Sequence, residues 1–81
     1  MRVAVHFYSY FKDLTGCAQT AENLAEGETI NDLLDKLSGR FPKFAPMRKS
    51  ILTAVGIEYQ ARDYALKDGD IVSLFPPVQG G

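Results

Sequence analysis

The six residues from Pro76 to Gly81 form the segment with the clearest chemical potential in this sequence. Pro76 and Pro77 lack N–H groups and favour a stiff, extended backbone, so they project the residues that follow. Five residues at roughly 3.1 Å each reach about 15 Å, enough to enter a neighbouring active site. Gly80 and Gly81 lack Cβ atoms and pass through a channel too narrow for a side chain. We therefore expect the Gly81 carboxylate to be the reacting group, positioned by Pro76, Pro77, Val78, Gln79 and Gly80.

A carboxylate such as that of Gly81 is inert as an acyl donor until it is activated. Attack on the α-phosphate of ATP would give an acyl-adenylate, from which a sulfur nucleophile can displace the leaving group. No segment of the sequence resembles a phosphate-binding P-loop. We therefore expect a partner to bind the ATP and this chain to supply the carboxylate. The plain alternative is a frayed Gly-Gly end without a function.

Few other residues could carry chemistry. His6 suits proton transfer, but an outward polar residue of a strand is the favoured interpretation. Cys17 has no second cysteine to pair with, and we favour a small buried hydrophobe over a sulfur relay. His6 and Cys17 cannot close a four-ligand zinc site. Asp68 and Asp70 flank a glycine, and formation of a turn is sufficient to explain them. The sequence predicts no metal site, no bound cofactor and no catalytic side chain of its own.

Composition restricts the class of protein. The chain has 81 residues, 46% of them hydrophobic, and nine basic against ten acidic residues give a net charge of −1. This hydrophobic fraction excludes a disordered chain, and the charge balance argues against a nucleic-acid partner. No apolar run is long enough for a membrane span, and the beginning does not resemble a signal peptide. We expect a cytoplasmic protein in which Arg40, Lys43, Arg48 and Lys49 form a solvated basic loop.

Hydrophobic periodicity predicts a mixture of strands and helices. The predicted elements are a strand over 3–8, a short helix over 10–15 capped by Ser9 and followed by Gly16, a strand over 18–24, a helix that starts after Thr29 and ends at Gly39, a loop over 40–50 with one helical turn at 46–50, a strand over 51–55, an irregular stretch over 57–65, a turn over 66–70 and a strand over 71–75. We expect residues 1–75 to form one domain and residues 76–81 to be its extended tail.

This order of elements predicts an α+β fold of the ubiquitin-like β-grasp type. In that arrangement a mixed sheet of four or five strands, with the first and last strands central and parallel, packs on one main helix, and short helices complete the fold. Strand alternation then turns Tyr8, Ile71 and Phe75 outward, beside His6 and near the root of the tail. Exposed apolar patches usually mark a partner surface, so we expect these residues to contact a partner. The alternative is that Phe75 is a core residue under the tail or Tyr59.

The turn Leu66-Lys67-Asp68-Gly69-Asp70 followed by Phe75-Pro76-Pro77-Val78-Gln79-Gly80-Gly81 closely resembles the small, sulfur-carrying subunit of molybdopterin synthase, a ubiquitin-like family. The segments 7–16 and 29–34 resemble that family as well. The resemblance implies that a ubiquitin-activating-like adenylyltransferase uses Mg-ATP to adenylate Gly81. A sulfur-donating enzyme would then supply the sulfur of a thiocarboxylate. The tail would enter the large synthase subunit, within a heterotetramer, and donate sulfur to a cyclic pyranopterin phosphate.

Three alternatives to this function stay open. The thiamine-pathway sulfur carrier is also a β-grasp protein ending in Gly-Gly, although the helix at 10–15 and the Phe75-Pro76-Pro77 run argue against it. A ubiquitin-like modifier would join Gly81 to lysines of target proteins. A plain interaction domain would have an inert tail and would tolerate a change at Gly81.

Overall fold

The computed structural model describes residues 1–77. Eight elements follow one another along this part of the chain: β1 (Arg2–Phe7), α1 (Phe11–Thr15), β2 (Gln19–Asn23), α2 (Ile30–Arg40), a 3₁₀ helix (Ala45–Ser50), β3 (Leu52–Val55), β4 (Glu58–Tyr59) and β5 (Ile71–Phe75). Among these elements, no helix is long and apolar enough to cross a membrane.

The five strands form one mixed sheet in the order β2-β1-β5-β3-β4. The central pair β1 and β5 is parallel, with Ala4 opposite Ile71 and Phe7 opposite Leu74. The pairs β1–β2, β3–β5 and β3–β4 are antiparallel. The predicted β-grasp fold is confirmed, including its central parallel strands. Strand β4 lies in the stretch predicted to be irregular.

One face of the sheet holds the core. Helix α2 contributes four fully buried side chains, Ile30, Leu33, Leu34 and Leu37, and the strands contribute Val3, Val5, Phe7, Val72 and Leu74 to the same cluster. The i, i+3, i+4, i+7 spacing on α2 puts its apolar side chains on one stripe, as predicted. Cutting back one of these leucines to alanine would cost about 2–5 kcal/mol, because the site is closed on all sides. The core thus fixes β1 and β5, the two strands that lead to the candidate site.

The irregular stretch before β5 provides hydrogen-bond acceptors for the N-terminus of α2. The N–H groups of Ile30 and Asn31 donate to the carbonyl oxygens of Tyr64 and Arg62, at 3.1 and 2.9 Å. Thr29 and Asp32 form the expected reciprocal capping box. The first N–H groups of a helix have no acceptor within the helix, and these bonds provide acceptors for two of them. Residues 62–64 therefore act as a backbone cap, although they form no regular element of their own.

Two predicted helix boundaries were wrong. Gly39 does not end α2: the helix runs through Arg40, because Gly39 lacks a positive φ and the N–H of Phe41 still donates to the carbonyl oxygen of Leu37. Ser9 does not cap α1 either. Tyr10 occupies the cap position without a side-chain bond, while Ser9 has φ of 56°, a left-handed conformation at the turn from β1 into α1. Gly16, with φ of 77°, follows α1 as predicted.

The Asp68–Asp70 turn joins the start of β5 to the start of β1. The Asp68 carboxylate accepts the N–H of Arg2 at 2.7 Å, and the N–H of Gly69 donates to the Arg2 carbonyl oxygen at 2.8 Å. The Asp70 carboxylate accepts the N–H of Lys67 at 2.8 Å. Both carboxylates thus hold backbone in place, which confirms their predicted role in the turn.

Candidate functional site

The candidate site begins where β1 and β5 end, on the sheet face away from α2. Val72 and Leu74 are buried in the core on the face of the sheet that packs against α2, so strand alternation turns Phe75 to the opposite face. The N–H of Tyr8 donates to the carbonyl oxygen of Leu74 at 3.2 Å, which continues β1 alongside β5. The rings of Tyr8 and Phe75 consequently stack, with centroids 4.6 Å apart and an interplanar angle of 15°. The structure brings together two of the three residues predicted to contact a partner.

A third aromatic residue, Tyr59 of β4, joins this pair. Its ring contacts that of Phe75 edge-on, with centroids 6.4 Å apart, and 71% of the residue is exposed. We refer to Tyr8, Tyr59 and Phe75 as the aromatic surface. Sequence reasoning did not assign Tyr59 to the site, because the two-residue strand β4 has no periodicity of its own. The sequence feature that indicates β4 is Gly56, directly after the predicted strand over 51–55. A glycine at this place favours a hairpin, in which the chain returns to the sheet as a further strand.

Ile71 lies apart from the aromatic surface. It is 46% exposed, as predicted, but it starts β5 and pairs with Ala4, whereas Phe75 ends the strand. Four residues at about 3.3 Å per residue separate Ile71 and Phe75 by roughly 13 Å along the strand. The prediction of one patch that includes Ile71 was wrong, because residues of one strand that share a face still extend along its whole length.

The tail leaves directly from the aromatic surface. Pro76 and Pro77 follow Phe75, are partly buried, and have no N–H groups with which to continue strand pairing. Val78, Gln79, Gly80 and Gly81 lie outside the described residues. Their predicted roles, including that of the Gly81 carboxylate, stay predictions.

His6 and Cys17 lie in ordinary surroundings. His6 is half-buried and lines a small cavity of about 170 Å³ with Tyr8, Lys12 and Gln19. Cys17 packs against the core, and its thiol lies 3.8 Å from the hydroxyl of Thr15. Within residues 1–77, no cluster of three or more His, Cys, Asp or Glu side chains is placed to hold a metal ion. In the part of the chain that the structure describes, neither side chain forms a hydrogen bond to a histidine or a carboxylate that would activate it.

The predicted solvated basic loop is only partly correct. Arg40 forms an ion pair with Glu22 and also donates to the hydroxyl of Thr20 at 2.9 Å. Arg48 forms an ion pair with Asp35. These arginines bind neighbouring elements of the same chain because their long side chains reach back over α2 and β2. Half of the cluster's positive charge is therefore neutralised within the fold.

A family model matches the sequence of this chain. The model of the ThiS family matches residues 5–81, which is nearly the whole chain. The chain belongs to the ThiS family. This ThiS-family chain is 30% identical to the "Molybdopterin synthase sulfur carrier subunit" of Chlamydomonas reinhardtii, with 100% of both chains covered. It is 31% identical to the protein of the same name from Escherichia coli (strain K12), covering 98% of this chain and 99% of that one. The resemblance to this group, noted from the terminal motif, is confirmed.

Other comparisons of the ThiS-family chain bear on its fold and on related functions. The "Putative molybdopterin converting factor, subunit 1" from Pyrococcus furiosus has a TM-score of 0.87 and 31% identity, covering 96% of this chain and 99% of that chain. A Helicobacter pylori complex of subunits 1 and 2 of molybdopterin-converting factor contains a chain with a TM-score of 0.71 and 23% identity, covering 100% of both. The "Small archaeal modifier protein 3" of Haloferax volcanii is 26% identical, with 100% of both chains covered.

Proposed function

We propose that this chain is a sulfur carrier for molybdopterin synthase, with the Gly81 carboxylate as the group that is activated and loaded with sulfur. One observation carries the proposal: relatives named molybdopterin synthase sulfur carrier subunit align with the chain from end to end. The aromatic surface at the root of the tail supports it. A partner that grips Tyr8 and Phe75 would hold the two central strands and thereby aim the tail.

The proposed cycle has three chemical steps. First, a carboxylate oxygen of Gly81 attacks the α-phosphorus of ATP, which forms the acyl-adenylate and releases pyrophosphate. Second, sulfide supplied by a sulfur-donating enzyme attacks the carbonyl carbon, which forms the thiocarboxylate and releases AMP. Third, the thiocarboxylate sulfur forms a bond to a carbon of the cyclic pyranopterin phosphate and displaces an oxygen substituent from that carbon. Water then cleaves the bond between the Gly81 carbonyl carbon and the sulfur. The last step restores the Gly81 carboxylate and leaves one sulfur on the pterin, so two loaded carriers supply the two sulfurs of the dithiolene.

In this cycle the carrier contributes position, and its partners contribute catalysis. We propose that Mg-ATP is bound by an adenylyltransferase of the ubiquitin-activating type and that the large synthase subunit receives the tail. The solved Helicobacter pylori complex pairs subunit 1 with subunit 2 of molybdopterin-converting factor, which supports a partner of this kind for the present chain. Aromatic side chains are common anchors of such interfaces, in keeping with the exposure of Tyr8 and Tyr59.

The loading of Gly81 can be tested by intact-mass spectrometry. The purified chain is incubated with its cognate adenylyltransferase, Mg-ATP and sulfide, and replacement of one oxygen by sulfur should raise its mass by about 16 Da. A variant that lacks Gly81 should stay unmodified, and a Tyr10→Ala variant, altered outside the aromatic surface, should be loaded like the wild type. An unchanged mass of the wild-type chain, with an enzyme that loads another carrier, would contradict the proposal.

A second function, conjugation to proteins, is favoured by the similarity to the Haloferax volcanii modifier protein. Both functions begin with the same adenylate, so loading alone does not separate them. Isopeptide adducts of Gly81 on lysines of many cellular proteins would favour the modifier. Sulfur transfer in the presence of the large synthase subunit would favour the carrier, and would also distinguish it from the thiamine-pathway carrier.

A further inference from the structure

A second apolar site lies at the end of the sheet opposite to the tail. It is a shallow cleft of about 470 Å³, whose apolar walls include Val55, Ile57, Tyr64 and Ile71. Ile57 is fully exposed, and Ile71 is 46% exposed. We call this the distal cleft. Along β5, roughly 13 Å separates Ile71 of the cleft from Phe75 at the root of the tail, whereas Tyr59 of the aromatic surface directly follows Glu58 of the cleft. A partner that grips Tyr8 and Phe75 therefore leaves Ile57 and Ile71 accessible.

Neither the core nor the local backbone requires an isoleucine at position 57. Ile57 is the second residue of the tight turn between β3 and β4, and Gly56, with φ of 62°, provides the left-handed conformation that this turn needs. Polar residues suit the position after such a glycine equally well. The N–H of Gly56 donates to the carbonyl oxygen of Ile71 at 2.9 Å, which brings the two exposed isoleucines to the same cleft.

The charged residues that line the distal cleft are both acidic. Glu58 is exposed and Asp70 is half-buried, and no lysine or arginine of residues 1–77 lines the cleft. One oxygen of Asp70 accepts the N–H of Lys67, which leaves its other oxygen available. The cleft therefore combines apolar walls with two carboxylates. This combination is complementary to an aliphatic side chain that has positively charged residues next to it.

We propose that the distal cleft docks a partner protein through an aliphatic side chain flanked by basic residues. The aliphatic group covers Ile57 and Ile71, while the basic groups face Glu58 and Asp70. This interaction does not depend on the proposed sulfur-carrier function, because it uses no residue of the tail and neither Tyr8 nor Phe75. It allows the chain to be held by one protein while its tail is engaged by another.

The proposal can be tested with a defined peptide probe and the full ¹⁵N-labelled chain at low ionic strength. The probe is a capped pentapeptide with leucine between arginine and lysine and a glycine at each end. We expect saturable amide shifts confined to residues 55–58 and 69–71. Ile57→Ser should weaken binding about tenfold, because the contact loses most of its apolar area. Since Ile57 is fully exposed, this variant should unfold at the wild-type temperature.

Matched controls separate the docking site from general stickiness or charge. Glu58→Gln should weaken binding, whereas Glu26→Gln, which removes another exposed acid in the loop before α2, should leave it unchanged. A probe with serine in place of leucine, or with glutamates in place of the basic residues, should cause no saturable shifts at the cleft. The proposal is overturned if the probe shifts other regions instead, if either control probe binds equally well, if Ile57→Ser retains wild-type affinity, or if Glu58→Gln and Glu26→Gln behave alike.

Discussion

The ring of Tyr8 stacks on the ring of Phe75, with centroids 4.6 Å apart and planes 15° from parallel. This contact joins the residue that follows β1 to the last residue of β5, immediately before Pro76. Because both strands are central in the sheet and fixed by the core, the stacked pair gives the tail a rigid base. The relationship connects the fold to the proposed function, since sulfur transfer requires the end of the chain to be placed accurately in another protein.

The role of this pair in docking can be measured with two matched tyrosines. Tyr8 and Tyr10 are 41% and 42% exposed, and each contacts one neighbouring phenylalanine ring. Tyr8→Ala should weaken binding to the cognate large synthase subunit about 30-fold, as expected when a central aromatic anchor is removed. Tyr10→Ala should change the affinity less than about threefold. Titration calorimetry measures both, and equal losses for the two variants would argue against the aromatic surface as the docking site.

Two glycines should respond to alanine in opposite directions. Gly39 lies inside α2 without a positive φ, and a Cβ there would meet no atom within 4 Å. Gly39→Ala should therefore raise the free energy of unfolding by about 0.5–1 kcal/mol. Gly16 has φ of 77°, so Gly16→Ala should lower it by about 1 kcal/mol, although there is equal space for the methyl group. Urea denaturation provides the values, and destabilisation by Gly39→Ala would show that the helix does not continue through this position.

The cap of α2 makes a third prediction. The hydroxyl of Thr29 accepts the N–H of Asp32 at 3.3 Å, and the Asp32 carboxylate accepts the N–H of Thr29 at 2.8 Å. Thr29→Ala should lower the free energy of unfolding by about 1 kcal/mol, because a helix N–H loses its acceptor. Thr29→Ser keeps the hydroxyl and should retain most of the stability in thermal denaturation. A serine variant as unstable as the alanine variant would mean that the methyl group, and not the hydrogen bond, is what matters.

The features that were predictable from sequence depend on local patterns. The apolar stripe of α2 and the alternation in β1 and β5 each repeat within a short window, and together they specify the core and the β-grasp order of elements. Asp68-Gly69 likewise marks a turn by residue type alone. For the candidate site, alternation was sufficient to turn Tyr8 and Phe75 to the same face of the sheet.

The features that were missed depend on contacts between distant segments. Tyr59 of β4, a strand that pairs with β3, joins the aromatic surface through the contact of its ring with the distant Phe75. Ile71 faces outward but lies at the other end of β5 from Phe75. Strand alternation predicts the face to which a side chain points, but not its distance from other residues on that face. The cap that Arg62 and Tyr64 provide to α2 consists of backbone carbonyl groups. Such a cap cannot be predicted from residue types, because every residue has a carbonyl group. Gly39 is a local exception, since its residue type predicts a helix end, whereas the N–H of Phe41 still donates to the Leu37 carbonyl oxygen.

The central claim, that Gly81 carries the transferred sulfur, is tested most directly by isotope transfer. The chain is loaded with a heavy sulfur isotope at Gly81, purified, and mixed with the cognate large synthase subunit and cyclic pyranopterin phosphate. Mass spectrometry then follows both the pterin product and the carrier. The account predicts heavy sulfur in the dithiolene and a carrier that returns to the mass of the unmodified chain. A dithiolene that contains only unlabelled sulfur, or a carrier that keeps its label while product forms, would contradict it.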